Sequence, residues 1–186
     1  MRAFFIFQPN PEPRIQMLNL STSSSTTDKY FKELEAKKLV RVWMIGLAKG
    51  QGTKVLYEIT LEGKEFAHMD KVEIPGKGEF RHKYWQYIIK KFYENLGYDA
   101  EIEKRFSFKN VDVGFESNGK KTAVEVELSP DHLIENLQRD FEAGCEKVII
   151  AVPNLRTIPS YQAKIQTSNK DFLDKVEFKV LTDFLI

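Results

Sequence analysis

The chain has 186 residues, with 28 Lys and Arg against 27 Asp and Glu for a formal net charge of +1, so no bulk field draws it to nucleic acid and any such binding must come from local basic patches. Its hydrophobic fraction of 42% and charged fraction of 30% are those of an ordinary globular protein, which excludes a disordered chain and fits one large domain or two small ones. The lone cysteine, Cys145, is expected to be buried or half-buried in FEAGCEKVIIAV and excludes an internal disulfide, and the apolar run in MRAFFIFQPNPEP is too short for a signal peptide or a membrane span, so a cytoplasmic protein is expected.

The first part of the chain reads as helices followed by a hairpin. RAFFIF would form a barely adequate helix, so either this end is minimal or the chain is a piece of something longer. Arg14–Leu20 suits a second short helix, and STSSSTT a turn with an N-cap. TTDKYFKELEAKKL then places Tyr30, Phe31, Leu34 and Leu39 at helical spacing. Two strands follow, RVWMIGLA and KVLYEITL, joined by a tip from Lys49 to Lys54 that carries Gly50 and Gly52. EGKEFAHM closes this part as a short helix. VEIPGKGEF breaks both periodicities, giving boundaries of 1–72, a linker at 73–78 and a second domain at 79–186.

The second part opens on a long helix, with apolar or aromatic residues at 80, 84, 85, 88, 89, 92 and 96 and Gly97 as its C-cap. A strand near Ala100–Phe106 and a hairpin across Val111–Leu128 come next. Ser129-Pro130-Asp131 announces a helix whose inner stripe is Leu133, Leu137 and Phe141. KVIIAVPN is a continuous apolar run, as in a strand covered on both faces, and VEFKVLTDFLI supplies a last strand. The predicted order is α-β-β-β-α-β-β, a mixed sheet flanked by helices.

The hairpin is the most informative segment. Asn118-Gly119 is a two-residue turn signal that pairs Ser117 with Lys120, which sets Gly114 opposite Ala123 and Asp112 opposite Glu125, with Glu127 one diagonal step away. Alternation then sends Val111, Val113, Phe115, Val124, Val126 and Leu128 to the other face, into a core. Opposed residues have Cβ atoms about 4.5–5.5 Å apart, and like charges so placed are destabilising, so a positive group should sit between them. Gly114 and Ala123 should leave room beside the acids for another backbone.

The first 70 or so residues resemble the winged helix-turn-helix family, through LNLSTSSSTTDKYFKELEAKKLVRV and the hairpin with its Gly/Lys tip. The resemblance implies DNA binding by Ser24, Ser25, Thr26, Lys29 and Tyr30 in the major groove and by Lys49 and Lys54 on the wing. Hydroxyls and lysines at a helix N-terminus suit phosphates and base edges, whereas Glu12, Glu33 and Glu35 dilute the basic surface.

The remainder resembles the PD-(D/E)XK nucleases, the restriction-endonuclease-like fold shared with Holliday-junction resolvases. The matching residues are Glu79 in GEFRHKYWQ, Asp112 in NVDVGF, Glu125-Val126-Glu127 in AVEVEL, the helix SPDHLIENLQRDFEAG and the strand KVIIAV. The resemblance implies an α/β domain, α+β over the whole chain, that hydrolyses DNA phosphodiesters with Mg²⁺ or Mn²⁺ held by Asp112 and Glu125. Glu79 would hold a metal-bound water or a second cation from its helix, where His82, Lys83 and Gln86 share its face and His82 is a polar helix-face residue rather than a ligand. Glu127 stands where most of the family has lysine, as in a minority of restriction enzymes, and would orient or deprotonate the attacking water. Otherwise the positive charge comes from elsewhere, with Arg139 a better candidate than Lys120 or Lys121. The resemblance also implies a homodimer, and if the chain is a fragment, a larger parent protein or an ATPase partner is expected. The alternatives are a non-catalytic DNA-binding module that keeps the fold, and a winged-helix adaptor for protein contacts.

Overall fold

Residues 24–46, 53–68 and 75–185 are described by a computed structural model, in which the chain divides into two units, Met1–Glu73 and Ile74–Ile186. RAFFIF, Arg14–Leu20 and Lys49 lie outside the described residues. No described helix is long and apolar enough to cross a membrane.

The first unit contains α1 (Ser24–Ala36), β1 (Val40–Gly46), β2 (Thr53–Ile59) and α2 (Leu61–Phe66). The strands pair antiparallel from Val40↔Ile59 to Gly46↔Thr53. Phe31 is the anchor of α1, its ring stacked on Tyr57 with centroids 3.9 Å apart. Leu56, on the same strand as Tyr57, is also buried. Thr60 ties the ends together: its hydroxyl accepts from Gly63 N at 3.0 Å to cap α2 and donates to Lys38 O at 2.7 Å, just past α1.

The second unit is a five-stranded mixed sheet flanked by helices. Its elements are α3 (Phe80–Asn95), β3 (Glu101–Phe106), β4 (Lys109–Ser117), β5 (Lys120–Val126), α4 (Leu133–Glu142), β6 (Lys147–Val152), α5 (Ile158–Ser168) and β7 (Val176–Val180). The strand order is β3-β4-β5-β6-β7, antiparallel through β5 and parallel from β5 to β7. Parallel neighbours need a crossover, and α5 supplies it between β6 and β7. That helix is absent from the predicted order, although Pro159 at its start and the buried pair Tyr161 and Ile165, four apart, mark it.

On one side α3 buries Phe80, Tyr84, Trp85, Ile89 and Tyr93, with Tyr93 against Phe115 of β4 at a ring-centroid distance of 4.4 Å. The predicted stripe is corrected at its end, because Leu96 is exposed while polar Gln86 is fully buried. On the other side Leu133 and Leu137 of α4 and Tyr161 and Ile165 of α5 pack with Ala123, Val148 and Ile150. Cys145 belongs to this core, where burial pushes its thiol up to about 12. Each large aliphatic side chain so buried contributes roughly 1.5–3 kcal/mol. Helix α4 begins three residues later than an N-cap at Ser129 predicts, with His132 at its N-cap. Ser129 instead donates its hydroxyl to Asp131 Oδ2 at 2.9 Å, within a turn.

Candidate functional site

The hairpin register follows from its turn. Asn118 and Gly119 take φ of 51° and 77°, and pairing runs from Ser117↔Lys120 through Gly114↔Ala123 to Val113↔Val124. Beyond that point the backbone ladder stops. The β3–β4 ladder also skips one position, Glu103 opposite Asp112, between Ile102↔Val113 and Lys104↔Val111. Glu103 sits there with φ of 53°, a left-handed conformation that a glutamate adopts only under constraint.

This break reverses the alternation of side chains. Val111, expected on the face of Val113 and Phe115, packs instead with Ala123, Leu133 and Leu137 under α4. Lys109, two residues earlier, reaches α4 as well: its ammonium lies 3.2 Å from Asn136 O and pairs with Asp140. Asp112 faces α3, where Gln86 Nε2 donates to Oδ1 at 2.9 Å and His82 Nε2 approaches Oδ2 at 3.1 Å. Its Oδ2 also accepts from Val126 N at 2.8 Å, so the side chain satisfies a donor that the interrupted ladder leaves open. The room expected beside Gly114 is filled from β3 and from β4 itself: a Cβ there would lie 2.9 Å from both Lys104 Cβ and Val111 Cγ2.

Both sides of the break open on one cleft of about 530 Å³, lined by Glu103, Asp112, Glu125 and Glu127 together with Lys77, His82, Lys109, Asn136 and Arg139. Three of its acids, Glu103, Asp112 and Glu125, come from the neighbouring strands β3, β4 and β5. Glu125 and Glu127 are only 6% and 7% exposed. Asn136 Nδ2 donates to Glu127 Oε1 at 2.9 Å, and Tyr161 Oη donates to the Glu127 carbonyl at 3.2 Å. Glu103 Oε1 accepts from Gln86 Nε2 and from Lys77 N, both at 3.2 Å, which draws the segment 75–78 onto the sheet. The Lys77 ammonium adds an ion pair to Glu103 Oε2 at 3.2 Å.

The cation expected between Asp112 and Glu125 is replaced by two separate ones: Lys109 Nζ lies 3.3 Å from Glu125 Oε1 and pairs with Asp140, while His82 meets Asp112. Negative charge still exceeds positive here. Burial raises Glu125 well above the usual carboxylate range, the charges of Asp112 and Asp140 add to this, and Lys109 opposes them. Asp140, on α4 and fully buried, is pushed up to about 6 by burial against the pull of Lys109. The Lys109 ammonium is close to Asp140, yet neither Asp140 oxygen receives a well-aligned hydrogen bond. Lys109 itself loses to burial but gains more from Glu125 and Asp140, so it stays protonated. Glu127 is raised by burial, with the Asn136 hydrogen bond acting against it. Burial lowers His82, but the hydrogen bond and charge of Asp112 prevail and hold it above its ordinary value. An imidazolium fits its contacts, since Nδ1 also faces Lys77 O at 3.1 Å.

Asp112, Glu125, Glu127 and Arg139 thus line the same cleft, whereas Glu79 does not. Glu79 is exposed at the N-cap of α3 and makes no side-chain cap. From the same face, His82 and Gln86 reach Asp112 instead. Lys120 pairs with Glu146 at 3.4 Å and Lys121 lies over the Phe106 ring, both outside the cleft lining. In the first unit Lys29 and Tyr30 are exposed on α1 and Thr26 is half-buried. Ser24 and Ser25 begin α1 and Lys54 lies on β2, with their side chains outside the described set.

Lys109, Glu103 and Asp140 escaped the sequence reading because their roles depend on the broken pleat. Among the described residues, no three His, Cys, Asp or Glu side chains form a ready metal shell. Compared with known protein families, curated proteins and solved structures, the chain matches none.

Proposed function

We propose that residues 74–186 are a divalent-cation-dependent deoxyribonuclease of the PD-(D/E)XK kind and that the preceding residues form a winged helix that holds DNA. The observation that carries this reading is the convergence of Asp112, Glu125 and Glu127 on one cleft with the Lys109 ammonium 3.3 Å from Glu125. The lysine that Glu127 displaces in sequence has a counterpart in space.

A magnesium or manganese ion suits Asp112 and Glu125. The donors are oxygens, and a hard cation needs only one or two carboxylates, with water and substrate phosphate completing its shell. Burial and the neighbouring charges of Asp112 and Asp140 disfavour an ionised Glu125, and a bound cation would relieve that cost. When bound, the ion supplies Lewis-acid polarisation of the phosphodiester and charge neutralisation in the transition state. The chain's own groups do the rest. Asn136 fixes one oxygen of Glu127, whose carboxylate, made more basic by burial, accepts a proton from the attacking water. Gln86, His82 and the Val126 N–H hold Asp112 in one orientation. Lys109 offsets part of the cost of ionising Glu125, and Arg139 offers an exposed guanidinium for developing phosphate charge.

A second reading is a DNA-binding module that retains this architecture without cutting. It is favoured by the engagement of both Asp112 oxygens and by the attraction of Lys109 toward Asp140. The test is to incubate the full chain with linear, nicked, branched and single-stranded DNA in Mg²⁺ or Mn²⁺, beside Asp112→Asn and Glu125→Gln. Product from the wild type alone is expected. Binding by all three with equal, background cleavage would refute the nuclease and leave the binding module.

A further inference from the structure

The β3–β4 connection carries a feature that phosphodiester hydrolysis alone does not require. Phe106 pairs with Lys109, so the turn consists of Ser107 and Phe108 only. Ser107 takes φ of 51°, a conformation that asparagine or glycine tolerates better. The turn is pinned on both sides: Arg105 Nε donates to Ser107 O at 3.0 Å, and Ser107 Oγ donates to Ala143 O at 3.1 Å at the end of α4. On this anchored base the Phe108 ring is 60% exposed, although Phe106 two residues earlier is only 2% exposed. Among the described residues no ring or cation packs against Phe108.

Phe108 lines the candidate site's cleft and directly precedes Lys109, whose ammonium meets Glu125. Apart from Val126 and Leu128, the rest of that lining is polar, with Arg139 and Lys77 as exposed cations, and among the described residues Phe108 is its one aromatic ring of the Phe, Tyr or Trp kind. A ligand matched to it carries a flat apolar face and anionic groups within one short unit. A nucleotide whose base is out of the stack has both. Bases in an intact duplex are stacked on their neighbours and present only their edges, so their faces cannot meet the ring.

We propose that Phe108 is a stacking platform for an unpaired nucleobase beside the scissile phosphate, so that the cleft takes single-stranded or locally unpaired DNA in preference to intact duplex. This rests on the nuclease reading of the same cleft. Because the turn is already pinned, stacking orders little besides the ligand.

The test uses the full chain with wild type, Phe108→Ala and Phe108→Trp, and two probes of one sequence: a single strand and a paired duplex, each carrying 2-aminopurine. Binding is read by anisotropy and stacking by quenching of the 2-aminopurine, without divalent metal. Cleavage is read separately with Mg²⁺. The wild type should quench the single strand, Phe108→Ala should lose the quench and weaken single-strand binding roughly tenfold, and Phe108→Trp should retain both. Duplex binding should be the same for all three. Equal losses on single strand and duplex, no loss in Phe108→Ala, or no single-strand binding by the wild type would each overturn the platform. Quenching that depends on Phe108 without cleavage would sink the nuclease reading alone, and cleavage indifferent to Phe108→Ala would sink the platform alone.

Discussion

Replacing Lys109 by Met removes one charge while keeping a side chain of similar length, and it isolates the electrostatics of the buried cluster. It leaves Glu125 and Asp140 facing each other, 6% and 0% exposed, without their cation. Removing one partner from a buried pair costs about 3–5 kcal/mol when the survivor stays charged. Here the survivors can take up protons instead. The wild type already leans that way, since Asp140 is pushed up to about 6 by burial, above an unfolded value of about 3.9. A folded pKa above the unfolded one gives stability that is full below the unfolded value and is lost as pH rises through about 6. Without Lys109 the folded values of both acids climb further, and each unit adds about 1.4 kcal/mol to the penalty for ionising them.

Lys109→Met should therefore lose about 4 kcal/mol near pH 8 and only about 1 kcal/mol near pH 5, where both acids are neutral. Urea unfolding followed by circular dichroism at the two pH values measures this. Adding Asp140→Asn to Lys109→Met should recover about half of the loss at pH 8, because one buried charge is gone. A loss that is equal at both pH values, or no recovery in the double variant, would refute the view that Lys109 compensates these two acids.

Addition of Mg²⁺ or Mn²⁺ should raise the melting temperature more near pH 8 than near pH 5, because protons and metal compete for Glu125; scanning fluorimetry of wild type and Glu125→Gln checks this, and an equal shift in the variant would refute it. Asp112→Ala should cost about 1–3 kcal/mol in urea unfolding by stranding the Val126 N–H, whereas Asp112→Asn, which keeps an acceptor, should cost less although both abolish cleavage. Gly76→Ala should displace Gln86, because at φ of 103° its Cβ would lie 2.0 Å from Gln86 Oε1. With Asp112 no longer held, kcat should fall by about 10²-fold while DNA affinity changes little, as single-turnover kinetics and anisotropy would show.

The sequence reading succeeded where local chemistry determines the result. Asn118-Gly119 dictates a two-residue turn, the turn dictates register, and pairing follows that register as far as Val113↔Val124. It failed one residue further on, at Asp112. Alternation assumes an unbroken pleat, and the break originates on another strand, in the left-handed backbone of Glu103. Nothing in NVDVGF announces it. The missing α5 is a different kind of failure. KVIIAV and VEFKV both carry strand signals, with ample chain between them for a crossover, and Tyr161 and Ile165 provide helical spacing.

Gln86 and Lys109 show how a site can be hidden from a motif yet accessible to physics. Gln86 stands among the apolar positions of α3, and a polar side chain on a core face requires a partner; its partners are Asp112 and Glu103. Two opposed carboxylates likewise demand a cation, which a motif based on spacing would seek beside Glu125 at position 127. The fold supplies one to each: Lys109 on β4 meets Glu125 and His82 on α3 meets Asp112, because the same break that turns Asp112 toward α3 leaves Lys109 on the side of α4 and Glu125. A lysine at 127 would compete for the space that Asn136 and Glu127 now share, while Lys109 reaches Glu125 without disturbing that hydrogen bond. Spacing in sequence is thus a poor guide to the cation here, and charge balance around Glu125 the better one.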